Sequence, residues 1–166
     1  MELYFLRHAP AEIQGETWTG SDADRPLSQK GVRKMKKIAL AMKRMDLSFD
    51  LILSSPFVRA RDTAAIAAKR LRHKDGITIS RHLKVAGNAR ALIREIATEH
   101  ASCRSVLLVG HEPALSRLIS VLLTGRAVPV VTMKKGALCK LSAPRIQYGR
   151  CATLDWLIGP AEILAR

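Results

Sequence analysis

Four side chains in this sequence have the types that phosphoryl chemistry requires: Arg7, His8, Arg59 and His111. A phosphoryl group needs cationic donors around its oxygens, and arginine supplies a planar fork suited to them. Arg7 and His8 are neighbours, so both can reach one cavity. An imidazole held among fixed positive charges resists protonation. A ring nitrogen of His8 would then stay free to attack phosphorus at neutral pH. The arginines and His111 would stabilise charge developing on the equatorial oxygens. That attack leaves a phosphorus–nitrogen bond on His8, which water would cleave. Ser55 joins the group with two readings, as a phosphate ligand or as the cap of a helix. No metal is expected on His8 and His111, because carboxylates at ligand spacing are missing and the arginines would repel a cation. No GxGxxG or GxxxxGK[ST] loop occurs, and no cofactor is expected.

These residues need elements to hold them. Glu2 to Leu6 reads as a short strand ending at Arg7-His8. The segment from Ala9 to Pro26 is polar and broken by Gly15, Gly20 and Pro26. Ser28 suits the N-cap of a helix reaching about Met45, with Val32, Met35, Ile38, Ala39, Met42 and Met45 on one apolar face. A buried strand over Asp50–Leu53 leads to Ser54 or Ser55 as a cap. Pro56 would open the next helix, which runs to about Arg72. Arg59 would lie in its first turn, where free N–H groups and the dipole also favour an anion. A strand near Ile77–Ser80, a loop at Gly87-Asn88 and a helix to about Ala101 follow.

Ser105–Val109 is the clearest strand, its run of Val106, Leu107, Leu108 and Val109 pointing to burial on both faces. Gly110-His111-Glu112-Pro113 breaks it before a helix to about Leu123. Two final strands, Ala137–Leu141 and Ala152–Leu157, are expected to add antiparallel edges. Strands alternating with helices predict a layered α/β fold with a largely parallel sheet. Ligands in such folds gather at the carboxyl ends of strands. Arg7-His8, Ser54-Ser55 with Arg59, and His111 all fall there.

Composition bounds the rest. A chain of 166 residues suits a single domain over residues 1–166, and 48% hydrophobic residues exclude wholesale disorder. Aromatics are only 4%, so the core must rest on aliphatic residues. No apolar run is long enough to span a membrane, and the apolar start is cut off at Arg7, so it reads as a strand rather than a signal peptide. Cys103, Cys139 and Cys151 form neither a CxxC nor an even set, which fits a reduced, cytoplasmic setting. The net charge of +14 attracts polyanions and could steer an acidic partner surface. A nucleic-acid role is the alternative class. The scarcity of aromatics and the lack of a nucleic-acid motif weigh against it.

The ordered motifs resemble a known family. Leu6-Arg7-His8-Ala9 resembles the RHG signature of the histidine phosphatase superfamily, and Leu27-Ser28-Gln29-Lys30-Gly31 its L-T-x-x-G helix start. Ser54 to Ala64 resembles its S-S-P-x-x-R-A-x-x-T-A motif, and Val109-Gly110-His111-Glu112-Pro113 its third motif. The matches keep the family's order through about residue 124. The short length further resembles the small phosphohistidine phosphatases of the SixA type.

That resemblance implies a single phosphoglycerate mutase-like, three-layer α/β/α sandwich. It implies a covalent phosphohistidine on His8, phosphate held by Arg7, Arg59 and His111, and no metal. Two departures stand out. Ala9 replaces a glycine, so the turn after His8 must have angles that alanine tolerates. Many members also carry a mid-chain glutamate as proton donor, whereas Ser80-Arg81-His82-Leu83-Lys84 has no acid. Imidazole leaves phosphorus with less help than an alkoxide, so the expected substrate is phosphohistidine on a protein. The alternative within the class is a small phosphomonoester, a sugar phosphate or nucleotide. His82, Glu12, Asp22 and Asp24 remain candidate donors from loops. His73, His82 and His100 otherwise read as surface or satisfied core residues.

Overall fold

The computed structural model describes residues 1–165. Its strands are β1 (Glu2–Arg7), β2 (Leu51–Ser54), β3 (Thr78–Ile79), β4 (Ser105–Gly110), β5 (Leu138–Ser142) and β6 (Thr153–Ile158). Its helices are α1 (Gln29–Arg44), α2 (Val58–Leu71), α3 (Ala89–Glu99), α4 (Ala114–Thr124) and α5 (Pro160–Leu164). The strands form one six-stranded sheet in the order β3-β2-β4-β1-β5-β6. β3, β2, β4 and β1 pair in parallel. β5 is antiparallel to both β1 and β6, so the late strands add the expected antiparallel pairing, although only β6 is an edge. The short helix α5 and a 3₁₀ turn at Arg81–Leu83 have no counterpart in the sequence reading.

β1 and β4 lie at the centre and divide their side chains between two cores. Leu3, Phe5, Val106 and Leu108 pack with Leu92 and Ile96 of α3 and with Leu118 and Leu122 of α4. Tyr4, Leu6, Leu107 and Val109 pack with Met35, Ile38 and Met42 of α1 and with Ala60, Ala64 and Ala67 of α2. Burial of both faces explains why these strands read as unbroken aliphatic runs rather than as an alternation. The buried face of α2 is mostly alanine, which lets α1 come close beside it.

The start of α1 bears directly on the site. Ser28 caps the helix by accepting the Gly31 N–H at 3.0 Å. Its own N–H donates to the Pro10 carbonyl at 3.1 Å, and its hydroxyl reaches the same oxygen at 3.3 Å. A Cβ on Gly31 would stand 1.8 Å from that oxygen, which is backbone and cannot swing aside. The Leu27–Gly31 run thus clamps the chain two residues after His8. Gly31→Ala is expected to lose about 2–4 kcal/mol through overpacking. The melting temperature should fall by about 5–15 °C in calorimetry. An unchanged melting temperature would show that the clamp yields.

Candidate active site

Three parallel strands deliver the predicted residues to one end of the sheet. The His8 N–H donates to Gly110 O at 3.1 Å, and the Ser55 N–H donates to Val109 O at 2.9 Å, which ties the ends of β1 and β2 to β4. The His8 and His111 rings lie 5.0 Å apart between centroids. Arg59 Nε donates to His8 Nε2 at 3.3 Å, and Ser55 Oγ lies 2.8 Å from His111 Nε2. Arg7 donates through Nη1 to the Met133 carbonyl at 2.7 Å, and its charge reaches both imidazoles. Arg7, His8, Ser55, Arg59 and His111 therefore meet, although they come from three separate stretches of chain.

The tautomer of His8 follows from its partner. Nδ1 lies 2.7 Å from the Ala9 carbonyl, which can only accept, so Nδ1 carries the hydrogen and Nε2 keeps its lone pair. Burial pushes the His8 pKa down to about 3. The Ala9 hydrogen bond opposes this, and the charges of Arg59, Arg7 and Lys135 add to it. The sequence reading assigned that effect to neighbouring cations. The larger cause is desolvation of a ring only 5% exposed. His111 is likewise pushed to about 3, by burial first and then by His8, Arg59 and Arg7 against the opposing charge of Asp22.

Both rings are therefore neutral in the folded chain well below pH 6.5, whereas the unfolded chain protonates them near that value. The unfolded state binds more protons as the pH falls from about 6.5 towards 3, so stability should decline over that window. The imidazole nitrogen resonances of His8 should stay unchanged between pH 8 and pH 5. A titration of His8 near pH 6.5 would show that the ring is solvated.

Ala9 raises no conformational difficulty. Among the described residues, the non-glycine positions with positive φ are Asp46 and Arg72, so the turn after His8 has angles that alanine adopts. Its N–H donates to Thr63 Oγ1 at 3.1 Å, and that hydroxyl donates to Arg59 O at 2.7 Å. Thr63 therefore couples the turn behind His8 to the helix that carries Arg59.

The expected cap of α2 is not formed. The helix starts at Val58 rather than Pro56, and Phe57 at its N-cap makes no side-chain capping bond. Ser55 Oγ instead accepts the Phe57 N–H at 3.3 Å, which leaves its proton free to go to His111 Nε2. Ser54 Oγ turns away to its neighbour's carbonyl, Ser55 O, at 3.0 Å. Arg59 still lies in the first turn, but the Val58 N–H is taken by Ala23 O at 2.9 Å, so the helix end offers an anion less than expected.

Among the described residues, two buried side-chain polar atoms have no hydrogen-bond partner: Arg7 Nε and His111 Nδ1. Buried polar groups are nearly always satisfied, so these two stand out as donors open to an acceptor. Arg59 is differently disposed. Its Nη1 donates to Asp22 O at 2.6 Å and its Nη2 to Asp22 Oδ2 at 3.0 Å. Asp22 also pairs with Arg25 at 2.7 Å. Burial alone would raise the Asp22 pKa, but the hydrogen bonds from Arg25 and Arg59 outweigh it and hold the carboxyl below its ordinary value.

The family model for the histidine phosphatase superfamily (branch 1) matches residues 3–84, the stretch that holds Arg7, His8 and Arg59. An uncharacterized protein of Picosynechococcus sp. is 34% identical over 169 residues and the alignment covers 99% of each chain. The chain belongs to the histidine phosphatase superfamily. The phosphohistidine phosphatase SixA of Escherichia coli is 24% identical, with 98% of this chain and 96% of that protein aligned. The solved structure of the protein histidine phosphatase SixA complexed with tungstate superposes with a TM-score of 0.83 at 22% identity, over 97% of this chain and 98% of the other. A mycobacterial glucosyl-3-phosphoglycerate phosphatase shares the fold with a TM-score of 0.71 at 19% identity, covering 93% and 96%. The α/β fold read from the sequence is thus the fold of this superfamily.

Of the proton donors read from the sequence of this histidine phosphatase, Asp22, Glu12 and His82 are engaged elsewhere, whereas Asp24 is exposed. Asp22 is committed to two arginines. Glu112, whose charge acts on Arg7, accepts the Ser116 hydroxyl at 2.7 Å. Glu12 accepts from Thr17 Oγ1 at 2.5 Å, and His82 lines a different cavity with Ser80, Arg94 and Glu95. Among the described residues no three His, Cys, Asp or Glu side chains gather as a metal site, and no helix is long and apolar enough to cross a membrane. Sequence reasoning missed the roles of Thr63, Asp22, Lys135 and the Met133 carbonyl. Only Thr63 left a signal, one helical turn after Arg59 in the Ser54–Ala64 motif.

Proposed function

We propose that this member of the superfamily releases phosphate from phosphohistidine on a protein, with His8 Nε2 as the nucleophile. What supports the reading most is the pairing of unsatisfied donors with committed acids. Arg7 Nε and His111 Nδ1 stand ready for phosphoryl oxygens beside a neutral His8. The nearby carboxyls of Asp22 and Glu112 are held by other partners.

His8 Nε2 attacks phosphorus in line, and its lone pair forms the new phosphorus–nitrogen bond as the bond to the substrate nitrogen breaks. The departing electron pair stays on the substrate ring, which leaves as neutral imidazole if it was protonated beforehand. Arg7, Arg59 and His111 hold the equatorial oxygens. Arg59 Nε gives up His8 Nε2 as that nitrogen bonds to phosphorus. Phosphorylated His8 is an imidazolium, and the Ala9 carbonyl on Nδ1–H stabilises its charge. Water then attacks phosphorus, His8 departs with its lone pair restored, and orthophosphate is released with the water's proton.

An alkoxide leaving group would need an acid, and the nearby carboxyls of Asp22 and Glu112 already have other partners. In direct competition, a phosphohistidine peptide is expected to outrun a sugar phosphate by at least about 100-fold in kcat/KM, the usual lower range for general acid catalysis. A sugar phosphate turned over faster than the peptide would overturn the assignment and favour a small-molecule phosphomonoesterase.

A further inference from the structure

The charge of +14 is not spread evenly over this molecule. Seven of the 16 residues of α1 are Lys or Arg, and none is acidic. Like charges three and four apart on a helix repel one another, as Lys30 and Lys34 or Arg33 and Lys37 do here. Where α1 lies beside α2, Lys36, Lys43, Lys69, Arg70 and Arg72 line a groove of about 420 Å³ with Ile66 as its apolar wall. None of these five cations has an ion-pair partner among the described residues.

Simple helix energetics do not account for the cluster. The helix dipole favours cations in a last turn, which covers Lys43, Lys69 and Arg70. Lys36 is two turns further back. Arg72 takes the left-handed C-cap conformation, at φ 57°, where glycine is the usual residue. The groove also stands apart from the phosphate pocket. α1 and α2 run back from the site end of the parallel strands, and Lys69 is about 15 Å beyond Arg59 along α2.

We propose that this groove binds a compact polyphosphate, a chain of two or three linked phosphoryl groups, free or carried on a nucleotide. Five cations without ion-pair partners among the described residues line one groove, which calls for a ligand of several negative charges, as linked phosphoryl groups carry and a single phosphate does not. An extended nucleic acid is a poorer fit, since the groove has no aromatic side chain on which a base could stack.

The test is a titration of the full chain with sodium tripolyphosphate, followed by calorimetry and by amide chemical shifts. Shifts are expected at residues 36–43 and 66–72, separate from any at Arg7, Arg59 and His111. The double variant Lys36→Gln/Arg70→Gln should weaken binding in the groove at least tenfold. Lys30→Gln/Lys37→Gln removes the same charge from α1 outside the groove and should change it less than twofold. ATP that competes as well as tripolyphosphate would make the nucleotide an equal source. The proposal is overturned if both double variants weaken binding equally, which is a diffuse field. It also fails if the groove amides do not shift, or if duplex DNA binds there and tripolyphosphate does not displace it. Because the readout is binding, it stands or falls independently of the proposed phosphatase activity.

Discussion

His8→Ala is expected to reduce phosphate release from a phosphohistidine protein by roughly 10,000-fold or more, the scale on which a lost covalent nucleophile is felt. The expectation rests on three observations. Nδ1 is tied to the Ala9 carbonyl, so Nε2 carries the lone pair. Burial keeps the ring neutral. The unsatisfied donors of Arg7 and His111 flank it. The variant should also lose the phosphoenzyme, which in the wild type would be labile to acid and stable to alkali, as phosphohistidine is. A label of that kind persisting in His8→Ala would move the nucleophile elsewhere, His111 being the neighbouring imidazole. The backbone bond from the His8 N–H to Gly110 does not depend on the side chain, so a folded variant is expected, and circular dichroism checks it.

Arg59→Ala is expected to lower kcat/KM by about 1,000-fold. Loss of a single preorganised donor to a developing oxyanion lowers rates by roughly 100- to 1,000-fold, and Arg59 brings a whole fork. A second effect pushes the same way. Asp22 loses two hydrogen bonds from the guanidinium and keeps only Arg25 as a partner, so its carboxylate would face the incoming phosphate with less compensation. Arg59→Lys should recover little, because an ammonium cannot serve the Asp22 carbonyl, its carboxylate and a phosphoryl oxygen together. Adding Asp22→Ala to Arg59→Ala should restore part of the loss. If the double variant is no better than Arg59→Ala, the repulsion is absent and the whole loss belongs to the missing fork.

Much of this molecule follows from local pattern. The aliphatic runs of β1 and β4 announce strands buried on both faces, and the period of α1 announces its buried stripe. Ser28 as the cap of α1 is a relation within four residues, and it holds in the structure at 3.0 Å. Arg7-His8, Arg59 and His111 could be placed together because the carboxyl ends of parallel strands must share one edge, a consequence of topology that motif order already implies.

What only the tertiary structure decided involves partners far apart in the chain or an environment rather than a residue. Ser55 reads as a helix cap because capping is a local habit. Its hydroxyl serves His111 because β2 and β4 are paired, 56 positions apart in sequence. Asp22 on Arg59 and the Met133 carbonyl on Arg7 come from loops, whose paths carry no period from which to predict a contact. The cause of the low His8 pKa also could not be read from neighbouring charges. Desolvation depends on how completely the fold closes over the ring, and that is a property of all the packed layers at once. The same holds for Gly31, a glycine in a helix until the fold brings the Pro10 carbonyl to where its Cβ would be.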